Sequence, residues 1–312
     1  MSYEYEDINI DSARCFFDLI LEENIFSPRS TFDVVERDFS RYIFRGQSDI
    51  SWELKPLAHR AHVDFSKFTP QPPGPLRENV HEYLALHVHA EFSVIRYFLE
   101  AADSVGIPTP LDYDSLKVHD YIFEKYNDGD LSWVGDDFPN RRYYPSMAMA
   151  QHYGAPTRLL DWTQSPLIAA FFAAEKASSI ANERKSSDTI SIICLSRHLI
   201  DKIDDIEYVP APRAGNSFLC AQKGCFTLIK TANSYFEKNF KWPDLESVIS
   251  NSGVSKSLAK PPFLRINIPS SEADELLRLL YRFGISKLTL MPSLQNASDD
   301  FNYKRNLWGK VR

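Results

Sequence analysis

The run Gln151-His-Tyr-Gly-Ala-Pro-Thr-Arg-Leu-Leu-Asp-Trp-Thr-Gln-Ser-Pro-Leu-Ile-Ala-Ala-Phe-Phe-Ala173 constrains this chain more than any other stretch. Gly154 and Pro156 mark a turn. Thr157 to Trp162 reads as a short extended segment carrying Arg158 and Asp161. Thr163 and Ser165 stand where a helix begins, with Pro166 in the first turn, where a missing N–H costs little. Leu167 to Ala174 continues as an apolar helix with almost no polar face, which predicts burial. A buried helix whose N-terminus carries hydroxyls, an Arg and an Asp suits an anionic ligand. A capped core helix with a structural Arg–Asp pair fits the same residues, and spacing leaves both readings open.

Around this run the periodicities sort into helices first and strands later. Residues 10–23 alternate apolar and acidic positions with helical period. Tyr42 to Gly46 reads as a strand that stops at Gly46. Residues 66–76 form a Pro-rich loop, and Arg77 to Val105 a long helix. Further helices are expected near 115–126 and over 141–153, separated by an acidic loop at 127–140. Strands are expected at 189–195, 222–229 and 262–268, a helix at 270–283 and a last strand at 285–291. The chain shows no βαβα rhythm, which excludes a doubly wound sheet. The expectation is an α+β fold with a helical N-terminal half packed on a mixed sheet.

Composition narrows the function. The chain has 312 residues and a net charge of −7. That balance argues against a broad basic surface for duplex nucleic acid, while leaving room for a local groove or a small anion site. Four scattered cysteines form no Cys-x-x-Cys pair, which points to a reducing, cytoplasmic setting. The acidic N-terminus does not read as a signal peptide, and no apolar run approaches the ~20 residues that span a bilayer. No metal-ligand spacing, P-loop, Gly-x-Gly-x-x-Gly or Gly-x-Ser-x-Gly motif occurs, so no metal is expected.

The candidate chemistry then lies in a few side chains. Arg45, at a strand end before Gly46, can present its guanidinium to a phosphate, or can pair with a buried Asp such as Asp161. Gln47 and Asp49 follow it. Arg158 and Asp161 project to opposite faces of an extended segment, so each finds its own partner. Tyr153 can stack on a ring and His152 can titrate near neutral pH, or hold the turn as a structural hydrogen-bonder. Arg213, Asn216 and Gln222 form a third polar cluster, readable either as ligand contacts or as a polar turn before a strand.

Phe44-Arg45-Gly46-Gln47, the central run, and Gln222-x-Gly-x-Phe226 together resemble the FRG domain family. The likeness extends from about residue 40 to Leu290-Met-Pro-Ser-Leu294. The layout is also similar to ADP-ribosyltransferases of the Arg-Ser-Glu class. That resemblance implies a split antiparallel sheet core. It divides the chain into an N-terminal helical extension (1–40), an FRG domain (41–295, with a helical insertion at about 77–150) and a C-terminal tail (296–312). It implies an NAD-dependent transferase, a toxin or anti-phage defence effector modifying RNA or protein, with an antitoxin partner. Arg45 would clamp the pyrophosphate beside Gly46, Tyr153 or Trp162 would stack on a ring, and Thr163 and Ser165 would hold the nicotinamide side. Arg158 and Arg213 would join the cofactor-binding residues, and with Arg141 and Arg142 would line a groove for an RNA acceptor. Catalysis would fall to Arg45, Asp161 and Gln222. Gln222 stands where that class carries a Glu, and an amide takes no proton. A non-catalytic nucleotide sensor using the same pocket is the alternative.

Overall fold

The computed structural model describes residues 5–21, 41–65, 77–110, 138–178, 187–211, 217–255, 258 and 260–309. Its centre is a sheet of β1 (Tyr5–Asn9), β2 (Tyr42–Gln47), β3 (Leu159–Thr163), β4 (Thr189–Ser196), β5 (Ile206–Pro210), β6 (Gly224–Ile229) and β7 (Phe263–Pro269). The spatial order is β1-β7-β4-β2-β3-β6-β5. β1 runs parallel to β7, and every other pairing is antiparallel. The unbroken apolar run of β4 has its cause here. Ile190, Ile192 and Cys194 face one core cluster while Ile193 and Leu195 face another, so the strand is covered on both sides.

One face of the sheet carries α1 (Ala13–Leu21), α4 (Pro166–Ala177) and α9 (Ala273–Arg282), whose apolar stripes close over Phe44 and Ile192. The other face is covered by α5 (Arg197–Ile200) and α8 (Leu245–Asn251). Beside β3 and β6 lie α2 (Val80–Ser104) and α3 (Tyr144–His152), packed through Phe92, Ile95 and Met147. The short α6 (Ser217–Ala221) leads into β6, α7 (Ala232–Asn239) follows it, and α10 (Lys287–Leu290) and α11 (Leu294–Trp308) close the described chain. The small residues of α4 let it rest directly on β2. A Cβ added at Gly46 would stand 1.9 Å from the Ala169 carbonyl oxygen.

The α+β expectation holds, with corrections. The sheet is one continuous ladder rather than a split pair. β2 is paired to β4 along its whole length and β3 to β6 along its whole length. Between β2 and β3, however, only Phe44 and Thr163 are in register, and the strands then part. The strand expected at 42–46 is β2, and the N-terminal half adds a strand the sequence reading lacks, β1. β1 is held to β7 by paired hydrogen bonds of 2.7 and 3.0 Å from Arg265 to Asp7. The strand expected at 285–291 is instead α10, because Ser286 and Thr289 exchange side-chain-to-backbone bonds of 3.3 and 2.9 Å as a capping box. Residues 296–308 of the expected tail belong to α11, whose Leu307 is buried and receives a 2.6 Å bond from Arg278. The Pro-rich loop at 66–76, the helix near 115–126 and most of the 127–140 loop lie outside the described residues. Among those described, no helix is long and apolar enough to cross a membrane.

Candidate functional site

Where β2 and β3 part, a pocket of about 380 Å³ opens. Arg45 projects from β2 into that gap. Its Nη1 donates to the Asp161 carbonyl at 2.6 Å and lies 2.8 Å from Asp161 Oδ1. Its Nε is buried and has no hydrogen-bond partner among the described residues. Asp161, at the middle of β3, stands on the pocket wall with 65% of its side chain open to solvent. The surrounding protein pushes its carboxyl pKa up, but the attraction and hydrogen bond of Arg45, with help from Arg60, outweigh this and hold it below its ordinary value. The site therefore presents a charged, solvent-accessible carboxylate.

Arg60 lines the same pocket. Its Nε donates to the Lys55 carbonyl at 3.0 Å, and no hydrogen bond to its Nη atoms occurs among the described residues. Burial first, and then the repulsion of Arg45, lower its pKa, with Asp161 acting in the opposite sense. Lys176, from the last turn of α4, adds a third cation to the wall. His152 lies on the wall as well, its pKa lowered by burial, so the imidazole is neutral at pH 7.

Several residues singled out by the sequence meet here. Thr163 Oγ1 donates to the Gln222 carbonyl at 2.7 Å and accepts from the Ser165 N–H at 3.2 Å. Gln222 lines the pocket from the turn after α6, and its amide donates to the Leu290 carbonyl at 3.2 Å. Trp162 borders the pocket, but its ring is 4% exposed in the core and its N–H bonds Thr227 at 3.0 Å. That burial removes it as a stacking platform. Gly46 also borders the pocket, but the space its missing side chain leaves is filled by α4 rather than by a ligand. Ser165 is the residue before α4, makes no side-chain capping bond and is not part of the pocket wall.

Others are placed elsewhere. Tyr153 is exposed and stacks on Phe98 at 5.9 Å, off the pocket wall. Asp49 caps its own turn through Ser51. Arg141 pairs with Glu207 at 2.9 Å and Arg142 lies over the Tyr143 ring. Arg213 and Asn216 lie outside the described residues.

Arg158 is the largest departure from the cofactor-binding role. Its side chain is wholly buried and grips Glu91 of α2 through both carboxylate oxygens at 2.8 Å. Its other terminal nitrogen bonds Asn233 at 3.1 Å, and its plane covers the Phe138 ring. No face remains for a phosphate. His87 Nε2 and His59 Nε2 stand 3.1 and 3.7 Å from Glu91 Oε1. His59, His87 and Glu91 are the residues with metal-ligand chemistry grouped among those described, but Arg158 already occupies both oxygens of that carboxylate.

The sequence reading missed Arg60 and Glu91. Arg60 sits in no recognisable motif. Glu91 carried a signal, being an acid on the apolar stripe of α2 between Val88 and Phe92 and Ile95.

Residues 117–182 match the family model of the FRG domain. The match contains α3, β3, Asp161 and α4, and ends before Gln222, while Arg45 precedes it. No curated protein and no solved structure matches the chain.

Proposed function

We propose that the pocket between β2 and β3 binds NAD and that the protein is an ADP-ribosyltransferase-like enzyme. The observation that carries this reading is the meeting of Arg45 and Asp161 in an open pocket that Arg60 and Lys176 also line. The Nη edge of Arg60 supplies forked donors for a diphosphate, and Arg45 adds its charge beside it. Asp161 supplies a negative charge beside the ribose. In the transfer, the bond from C1′ to the nicotinamide nitrogen breaks and its electron pair leaves with nicotinamide. An acceptor oxygen or nitrogen bonds C1′, and its proton passes to Asp161. The acceptor is RNA or protein, and such an activity would suit a toxin or defence effector with an antitoxin partner.

A second reading is a nucleotide sensor without chemistry. It is favoured by a specific observation. Asp161 is the only acid among the described residues lining the pocket, and it is already paired with Arg45. Incubation with NAD labelled in its adenylate phosphate, with RNA or lysate, separates the two. Label transfer abolished by Arg45→Ala and Asp161→Asn supports the enzyme. Saturable NAD binding with no nicotinamide release supports the sensor. Absence of NAD binding overturns both.

A further inference from the structure

Arg60 has a second neighbourhood. A separate cavity of about 400 Å³ is lined by Trp52, Glu53, Lys55, Arg60, Ala61 and His62. Arg60 therefore stands on the shared wall of two lobes, with Asp161 in one and Trp52 in the other. Trp52 is one of the few large apolar side chains left exposed, at 41%. Lys176, from the wall of the first lobe, lies 5.9 Å from the centre of its ring, which sets Trp52 at the border of the two.

The backbone that carries the ring is held in place. Gln47, buried at the end of β2, donates to the Trp52 carbonyl at 3.1 Å, and the Trp52 N–H bonds Asp49 at 3.3 Å. The strand that delivers Arg45 to the first lobe thus fixes the backbone of Trp52 beside the second. The arrangement is charged at its waist and aromatic at one end. That order of groups is the order in a dinucleotide joined through a diphosphate.

We infer that the ligand is a dinucleotide spanning both lobes, with the diphosphate at Arg60 and a base stacked on Trp52. The inference rests on the NAD reading of the first lobe and assigns its second base. Stacking of a base on an exposed aromatic ring is sequence-tolerant and survives replacement by another ring. The base end accordingly accepts more than one nucleobase.

Calorimetric titration of the full chain with ADP-ribose, ADP and ribose 5-phosphate tests this. ADP-ribose is expected to bind at least about 10-fold tighter than ribose 5-phosphate. Trp52→Ala shrinks that advantage to what the second phosphate contributes and leaves ribose 5-phosphate binding unchanged, which also shows that the first lobe is intact. Trp52→Phe retains most of it. If ADP-ribose and ribose 5-phosphate bind equally, or Trp52→Ala leaves ADP-ribose affinity unaltered, the second lobe holds no base and only the first-lobe reading stands. If none of the three binds, both readings fall.

Discussion

Arg158 and Asp161 lie three residues apart in the chain and end up in opposite kinds of surroundings. Arg158 turns inward to Glu91, where the two side chains are 0% and 1% exposed. Asp161 turns to Arg45, where the figures are 65% and 11%. Both are arginine–carboxylate pairs, yet the first binds every nitrogen of its arginine into the fold and the second leaves its carboxylate facing an open pocket. The same chemistry holds a core together when sealed and offers a ligand site when solvated. The contrast explains why Arg158, on sequence as good a phosphate ligand as Arg45, has no access to one.

The comparison breaks first on stability. Arg158→Met leaves Glu91 charged and buried without its arginine, with His59 and His87 beside it, and is expected to cost about 3–5 kcal/mol in urea denaturation. Adding Glu91→Leu should recover much of the loss. A cost for the single variant near that of an ordinary surface change would mean the sealed pair is not structural.

Arg45→Ala is expected to behave in the reverse way. The open pair is screened by solvent, so the unfolding free energy should change by about 1 kcal/mol or less. Ligand binding or transfer should fall about 10²-fold or more. A large loss of stability with ligand affinity retained would move Arg45 into the structural class beside Arg158.

Gly46→Ala sharpens the distinction between packing and binding. Its Cβ meets the Ala169 carbonyl and the Ala173 nitrogen, at 1.9 and 2.8 Å, so α4 must shift. A cost of about 1–3 kcal/mol is expected in thermal or urea unfolding. A neutral substitution would show that α4 does not rest on β2 as described.

The sealed cluster also gives the stability a pH dependence. Burial lowers the pKa of His59, in the sealed cluster, from 6.5 to about 4, against the opposing pull of Glu91. A depressed folded-state pKa gives stability that is fully present above 6.5 and is lost as pH falls towards 4, because the unfolded chain takes up the proton first. His59→Phe should flatten the stability profile between those values, keeping the stack on Trp242. An unchanged slope would remove His59 from the cluster's titration.

Much of the scaffold was legible because it obeys local rules. The apolar run after Pro166 is the buried α4, and the strand ending at Arg45-Gly46-Gln47 is β2, since each carries its own period and punctuation. The pairing of Arg45 with Asp161 was one of two readings of Arg45. The direction of Arg158 was not legible, because its partner Glu91 lies on a helix 67 residues away. β1 escaped notice for a similar reason, as its ladder partners begin at Phe263. Arg60 became a pocket residue only through the folding of the turn that holds its Nε on Lys55. The α10 segment was misread as a strand from its apolar residues, since Ser286 and Thr289 decide the backbone there.

The account rests on the opening between β2 and β3 being a nucleotide site and not a packing defect. Calorimetric titration of NAD into the wild-type chain and Arg45→Ala addresses this most directly. The account predicts saturable binding to the wild type that weakens about 10²-fold in a variant whose unfolding midpoint is unchanged. Equal affinity for both proteins, or no binding to the wild type, would contradict it.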